Sequence, residues 1–301
     1  MAAQMKHDMK AILGEDFFKE EVRCDYLVTD KMKRIWAVYL DMYLAFSEVC
    51  EKYGLKHFVI AGTLLGAIRH NGFIPWDDDF DVGMMREDYE KFVKVAKDEF
   101  SYPLFFQSPE TDLDYYMSWV QIRNSSTTAV SPVTNHRRFN QGLFLDIFPI
   151  DYVDINNVEH DYQLIYTYAK RCGAYMRQGS KRLNERQKQD AVTYYTDNPL
   201  QEWKMLQQVA SNPQYKSSNY VTNAVFTGYG WEKMVHPANK YEKVEKHLFE
   251  GIEVIIPSGY DELLRIQYGD YMSFPPVEQR GIRHSGTFFD PDTPYTEYLE
   301  K

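Results

Sequence analysis

The longest regular pattern in the chain runs from Thr29 to Gly54. Within it Met32, Ile35, Trp36, Tyr39, Met42, Phe46 and Val49 recur at three- and four-residue intervals. That spacing lays an apolar stripe along one face of a helix, with Thr29 placed to cap its start and Gly54 to end it. A second amphipathic helix is predicted over 86–100, buried through Tyr89, Phe92, Val93 and Ala96. Short apolar runs at 56–61, 104–106 and 117–123 predict strands. In the last of these Trp119, Gln121 and Arg123 alternate with Val120 and Ile122, which points Arg123 away from the core and towards a cleft. The run GLFLDIFP, Gly142 to Pro149, is apolar except for Asp146 and reads as a strand buried on both faces. Residues 251–257 alternate as a further strand. Ser258-Gly259-Tyr260-Asp261 resembles a capping box and opens a helix ending at Tyr268-Gly269. Between 156 and 216 the chain turns polar and helical, with breaks at Asn198-Pro199 and Asn212-Pro213. We read one domain over 1–301 that carries a helical insertion at 156–216, the natural place for acceptor specificity.

Chemistry concentrates in Ala61–Gly83, AGTLLGAIRHNGFIPWDDDFDVG. On an extended strand Asp77, Asp79 and Asp81 would share one face, while Phe80 and Val82 point into the core. Three like charges beside a core repel one another, and a divalent cation with a preference for hard oxygen ligands, Mg²⁺ or Mn²⁺, removes that cost. A solvated acidic loop, or an Asp-rich turn, is the alternative. The preceding strand, Gly62-Thr63 and an apolar helix start form a turn that aims backbone N–H groups at an anion. Arg69 and His70 are candidates to supply positive charge to a diphosphate, or are surface residues of a short helix. Asp146, lone in its apolar strand, either ligates a metal, acts as a general base, or pairs structurally with an Arg.

The run from Gly62 to Gly83, with Arg86-Glu87-Asp88-Tyr89 after it, resembles the LicD family of phosphorylcholine transferases, to which fukutin and fukutin-related protein are more distantly similar. That family is in turn similar to the DNA polymerase β type of nucleotidyltransferase, whose two carboxylates around an apolar residue match Asp79-Phe80-Asp81. Gly62-Thr63 stands where the superfamily has Gly-Gly or Gly-Ser, and the interval to Asp79 is longer, as in LicD members. The resemblance extends to the DIFP segment at Asp146 and to YGDYMSFPP, Tyr268 to Pro276, followed by Arg280 and His284. It implies an α/β (α+β) nucleotidyltransferase fold, a small mixed sheet flanked by helices. The implied reaction moves phosphorylcholine from CDP-choline to a hydroxyl of a glycan or glycolipid, as in lipopolysaccharide or teichoic acid biosynthesis, and releases CMP. Ribitol-, glycerol- or ethanolamine-phosphate donors, and NMP transfer from an NTP, are the alternatives. The implied metal ligands are Asp79, Asp81 and Asp146, with Asp77 completing the catalytic set. Gly62, Thr63, Arg69, His70, Arg123, Asp270 and His284 are the implied substrate-binding residues. For Asp270 and His284 a turn-holding or packing role stands beside that reading.

Composition narrows the partners. A net charge of −10 argues against nucleic acid. Aromatic residues make up 16% of the chain, 24 of them Tyr, enough to stack a base or enclose a quaternary amine, and equally enough for an aromatic core. No apolar stretch reaches eighteen residues and the start of the chain lacks a signal-peptide profile. The three cysteines, Cys24, Cys50 and Cys172, lack metal-ligand spacing. A cytoplasmic protein is expected, with peripheral association at the inner membrane face left open.

Overall fold

The computed structural model describes residues 3–223, 230–281 and 286–300. The periodic segment becomes the 24-residue helix α1 (Asp30–Tyr53). The Thr29 hydroxyl accepts the Met32 N–H at its start. Gly54, left-handed at φ 63°, closes the other end by donating to the Cys50 and Glu51 carbonyls. Trp36, Tyr39, Leu40, Met42, Tyr43 and Phe46 are wholly or almost wholly buried, so α1 runs through the main core instead of lying on it.

Seven strands form the central sheet: β1 (Phe58–Val59), β2 (Asp81–Met85), β3 (Leu104–Gln107), β4 (Val120–Asn124), β5 (Leu143–Tyr152), β6 (Tyr220–Thr222) and β7 (Val235–Pro237). The order is β7-β6-β5-β2-β1, with β4 also paired to β5 and β3 to β4. β2 and β5 run parallel, and the other pairs are antiparallel. The sheet is therefore mixed, and the protein is an α/β structure with helices packed on it. Ten-residue β5 is the spine, buried along its length as far as Asp151. Helix α2 (Ala61–His70) joins β1 to the acidic loop, and α3 (Arg86–Glu99) follows β2 directly.

The polar middle of the chain folds as α4 (Val158–Arg177), α5 (Glu185–Thr193) and α6 (Pro199–Ala210). Asn198 caps α6, with Pro199 in its first turn. This helix is tied to the chain entering β4, since Trp203 Nε1 donates to the Met117 carbonyl at 3.0 Å and Gln207 Nε2 to that of Ser118 at 2.7 Å. After the sheet come the hairpin β8 (Val244–Phe249) and β9 (Ile252–Pro257), then α7 (Tyr260–Tyr268).

Two local expectations change. α7 begins at Gly259 without a side-chain cap, so the capping box read at Ser258 is not formed. A Cβ on Gly259 would meet Lys240 backbone atoms at 2.8 Å, and close approach of two backbones explains that glycine. The acidic run is also not one strand. β2 starts only at Asp81, and the residues before it form a loop whose turn is closed by the Asp77 N–H donating to the Ile74 carbonyl at 2.9 Å, with Pro75 inside the turn.

His57, buried against the edges of Phe46 and Tyr43, has its pKa lowered by desolvation to about 4. The unfolded chain therefore binds the extra proton first, and stability falls as pH drops from about 6.5 towards 4. From pH 7 to pH 5 this one group is expected to remove about 2 kcal/mol of stability. Urea midpoints at the two pH values check this, and His57→Gln should flatten the dependence.

Candidate active site

The parallel register of β2 on β5 places Asp81 opposite Asp146. The antiparallel register of β4 on β5 places Gln121 opposite Asp146 on the other side. Paired residues project from the same face of a sheet, so Asp81, Asp146 and Gln121 form one row across three strands. Asp146 Oδ1 accepts hydrogen bonds from Trp119 Nε1 at 2.7 Å and from Gln121 Nε2, and Gln121 Oε1 accepts the Tyr115 hydroxyl at 2.7 Å. Each link orients the next.

The loop before β2 brings Asp77 and Asp79 to the same place. Asp77, Asp79, Asp81 and Asp146 all line a cavity of about 240 Å³, together with Ile60, Ala61 and Gly62 from the start of α2. Asp78 is buried outside it, although oxygens of Asp77, Asp78 and Asp79 lie within 4.8 Å of one another. The loop is held from α1. The Tyr39 hydroxyl donates to the Asp78 carbonyl at 2.8 Å, and Trp36 Nε1 makes a long bond to that of Asp77. Burial, reinforced by the charges of Asp78, Asp79 and Asp146, pushes the Tyr39 hydroxyl far above its ordinary pKa, so it stays a donor. No motif marked Trp36 or Tyr39, because in the sequence both are simply members of a core stripe.

Gly62 and Thr63 serve the acids at close range. Asp77 Oδ2 lies so near the Gly62 backbone that a Cβ there would meet it at 2.6 Å. The buried Thr63 hydroxyl accepts the Asp81 N–H at 2.8 Å, fixing the first residue of β2. α2 has no side-chain cap at its N-terminus, so its first N–H groups and the positive end of its dipole lie at the cavity.

The remaining sequence candidates among the described residues do not line this cavity. Arg69, at the far end of α2, donates Nη1 to the carbonyls of Tyr271 and Ser273 at 2.9 and 3.1 Å. His70 accepts from Arg69 Nε and stacks on Phe274. Desolvation, then the charges of Arg69 and Arg23, lowers its pKa to about 4. At neutral pH His70 therefore carries no positive charge to offer a phosphate. Arg123 lies on the acid face as alternation requires, but it is buried, donating Nε to Gln107 Oε1 at 2.7 Å and Nη1 to the Gly142 carbonyl at 2.8 Å. It stands behind Asp146 and not in a cleft. Asp270 accepts from the Ser273 hydroxyl in an exposed turn. His284 lies outside the described residues. Sequence reasoning did not mark Asn223, His236 and Gln267, which also line the cavity.

Gly62→Ala tests the close approach. Because the obstructing atom is the end of a movable side chain, the unfolding temperature is expected to stay nearly unchanged. The Asp77 carboxylate should be driven out of the cavity, which a crystal structure of the variant would display, and turnover should fall.

Residues 54–174, which contain all four acids, match the family described as LicD/FKTN/FKRP, nucleotidyltransferase domain. The chain is 31% identical over 248 residues to the lipopolysaccharide cholinephosphotransferase LicD of Haemophilus influenzae, a match covering 79% of this chain and 90% of that protein. Shorter matches link it to the human ribitol 5-phosphate transferase FKRP, 48% identical over 40 residues, 13% of this chain and 8% of that protein. An uncharacterized protein of Rickettsia prowazekii is 54% identical over 41 residues, 14% of this chain and 15% of that one. The long match and the row of acids agree: the chain belongs to the LicD family and is a phosphotransferase of that type.

Proposed function

We propose that the protein is a metal-dependent transferase of nucleotidyltransferase fold. It would move phosphorylcholine from CDP-choline to a hydroxyl of a cell-surface glycan or glycolipid precursor, releasing CMP. The observation that carries this reading is the 248-residue match to a lipopolysaccharide cholinephosphotransferase. Among the described residues no helix is long and apolar enough to cross a membrane. A glycolipid acceptor would place the enzyme against the cytoplasmic face of one.

The donor set of the cavity suits Mg²⁺ or Mn²⁺, since four carboxylates give hard oxygen ligands on one wall. Asp79, Asp81 and Asp146 would hold the ion and Asp77 would complete or orient the set. When bound, the ion neutralises diphosphate charge as the leaving group departs. The chain's own residues do the positioning. Trp119 and Gln121 aim Asp146, Thr63 fixes Asp81, and the N-terminus of α2 presents N–H groups to phosphate oxygens. The acceptor oxygen bonds to the phosphorus of phosphorylcholine and the bridging P–O bond breaks. CMP leaves with the bridging oxygen, and the hydroxyl proton passes to water or a wall carboxylate. Arg123 and Arg69 are positioning residues in this reading, the first behind Asp146 and the second holding the loop after α7.

The local FKRP match favours ribitol phosphate as a second cargo on the same scaffold. Incubation with CDP-choline, CDP-ribitol or CTP in the presence of Mg²⁺ separates the readings. CMP release from CDP-choline is expected. Faster release from CDP-ribitol would establish the second cargo, and pyrophosphate from CTP would replace both with nucleotidyl transfer. Asp79→Asn and Asp81→Asn should each lower turnover about a thousandfold, with Mn²⁺ binding lost in calorimetry and the fold retained. Trp119→Phe removes one donor to Asp146 and should cost turnover more than donor KM.

A further inference from the structure

The cavity changes character along its length. β5 contributes Asp146, Phe148 and Ile150 to one wall, alternate residues on one face, which spans roughly 13 Å at about 3.3 Å per residue. Asn223 follows Thr222, the partner of Asp151, and His236 pairs with Val221. Both therefore stand beyond the Ile150 end, and Gln267 of α7 lines the same cavity. All three are more than nine-tenths buried. Among the described residues, Asn223 Oδ1, His236 Nε2 and Gln267 Nε2 are each buried without a hydrogen-bond partner. Buried polar atoms are rarely left unpaired because each forfeits its bonds to water. Three in one cavity, on three separate elements, form a hydrogen-bonding set that awaits a ligand.

Their chemistry restricts that ligand. Burial lowers the His236 pKa to about 4, and its Nδ1 is engaged by the Tyr241 hydroxyl at 2.7 Å. The trio is thus uncharged at neutral pH, with Asn223 Oδ1 accepting and Gln267 Nε2 donating. A trimethylammonium group has neither donor nor acceptor to match it, and a diphosphate would be met at the opposite end by the N-terminus of α2 and a cation held by the acids. The apolar part of the cavity lining is Met117, Trp119, Phe148, Ile150, Met234 and Leu263, with Ile60 and Leu64. Apolar walls with a mixed donor–acceptor edge fit a flat heteroaromatic ring better than a saccharide, whose hydroxyls project on all sides. A nucleoside monophosphate is long enough to bridge the acids and the trio.

We infer that Asn223, His236 and Gln267 form the subsite that reads the cytosine base of the donor. In this arrangement Asn223 Oδ1 accepts from the exocyclic amine and Gln267 Nε2 donates to the ring nitrogen or carbonyl. The assignment rests on the CDP-donor reading above. Uracil inverts the pattern at the positions that distinguish the two bases, and a site built for one hydrogen-bond pattern rejects a ligand that leaves its polar groups unpaired.

Calorimetric titration of the full chain with CMP, UMP and choline phosphate tests this, using wild type, Asn223→Ala and the near-isosteric Gln267→Met. Wild type is expected to prefer CMP over UMP by about tenfold or more. Each variant should bring that ratio towards one, with choline phosphate binding unchanged and the ligand-free unfolding temperature confirming a folded protein. Equal wild-type affinities, or a ratio that neither variant alters, would overturn the subsite. If CDP-choline still yields CMP in that case, the transferase reading survives without it. If neither CMP nor any CDP-alcohol binds, the transferase reading itself falls.

Discussion

The pairing of β2 with β5 places two carboxylates side by side, and much of the molecule follows from keeping them there. At the usual strand spacing of about 4.8 Å, two like charges repel by about 3 kcal/mol for an effective dielectric near 20. That is a large fraction of the net stability of a typical domain. The sheet register makes separation impossible without breaking the ladder around residues 81–85 and 146–150. The opposition is instead met locally at Asp146, whose Oδ1 accepts from Trp119 and Gln121, while the Thr63 hydroxyl holds the Asp81 amide in place. A strained electrostatic arrangement that persists because its surroundings over-determine it is what a preorganised site requires.

The loop carrying Asp77 and Asp79 has no ladder of its own, so other groups take over that task. α1 supplies Trp36 and Tyr39 to its carbonyls from below. Glu250, at the tip of the β8–β9 hairpin, accepts the Phe73 N–H at 3.1 Å, pairs with Arg23, and donates its own N–H to the Asn71 carbonyl at 2.9 Å. Phe73 stacks on Trp36 with centroids 4.6 Å apart. The loop is fixed at both ends by elements distant in sequence, which explains how a segment without regular structure presents carboxylates to one cavity.

Much of the fold was legible because its signals are local. The stripe of α1, the apolar run of β5 around a single acid, the caps at Thr29 and Gly54 and the break at Asn198-Pro199 each follow from a few neighbouring residues. The acidic run was legible as chemistry but misread as geometry. Strict alternation suggested one strand, whereas Pro75 and the Ile74–Asp77 turn delay the strand until Asp81. Arg123 illustrates the other limit. Alternation gave its face correctly, yet its position behind Asp146 depends on Gln107 and Gly142 arriving from other strands. Asn223, His236 and Gln267 carry no motif at all. They share one cavity only because the fold brings the end of β6, β7 and α7 to it.

The contrast between the two ends of the cavity has a physical basis beyond recognition. Acidic side chains alone would repel any anionic donor, and a deep apolar pocket alone would bind nucleosides without regard to phosphate. Charge matching at the acid wall is strong but falls with ionic strength. Neutral hydrogen bonds in a desolvated pocket are weaker individually, yet insensitive to salt and demanding in direction. In the proposed reaction, an arrangement with charge at one end and neutral polar groups at the other would let the uncharged end select the donor. The charged end would then act on the phosphates, where stabilisation of the departing group raises the rate and is not consumed in ground-state binding.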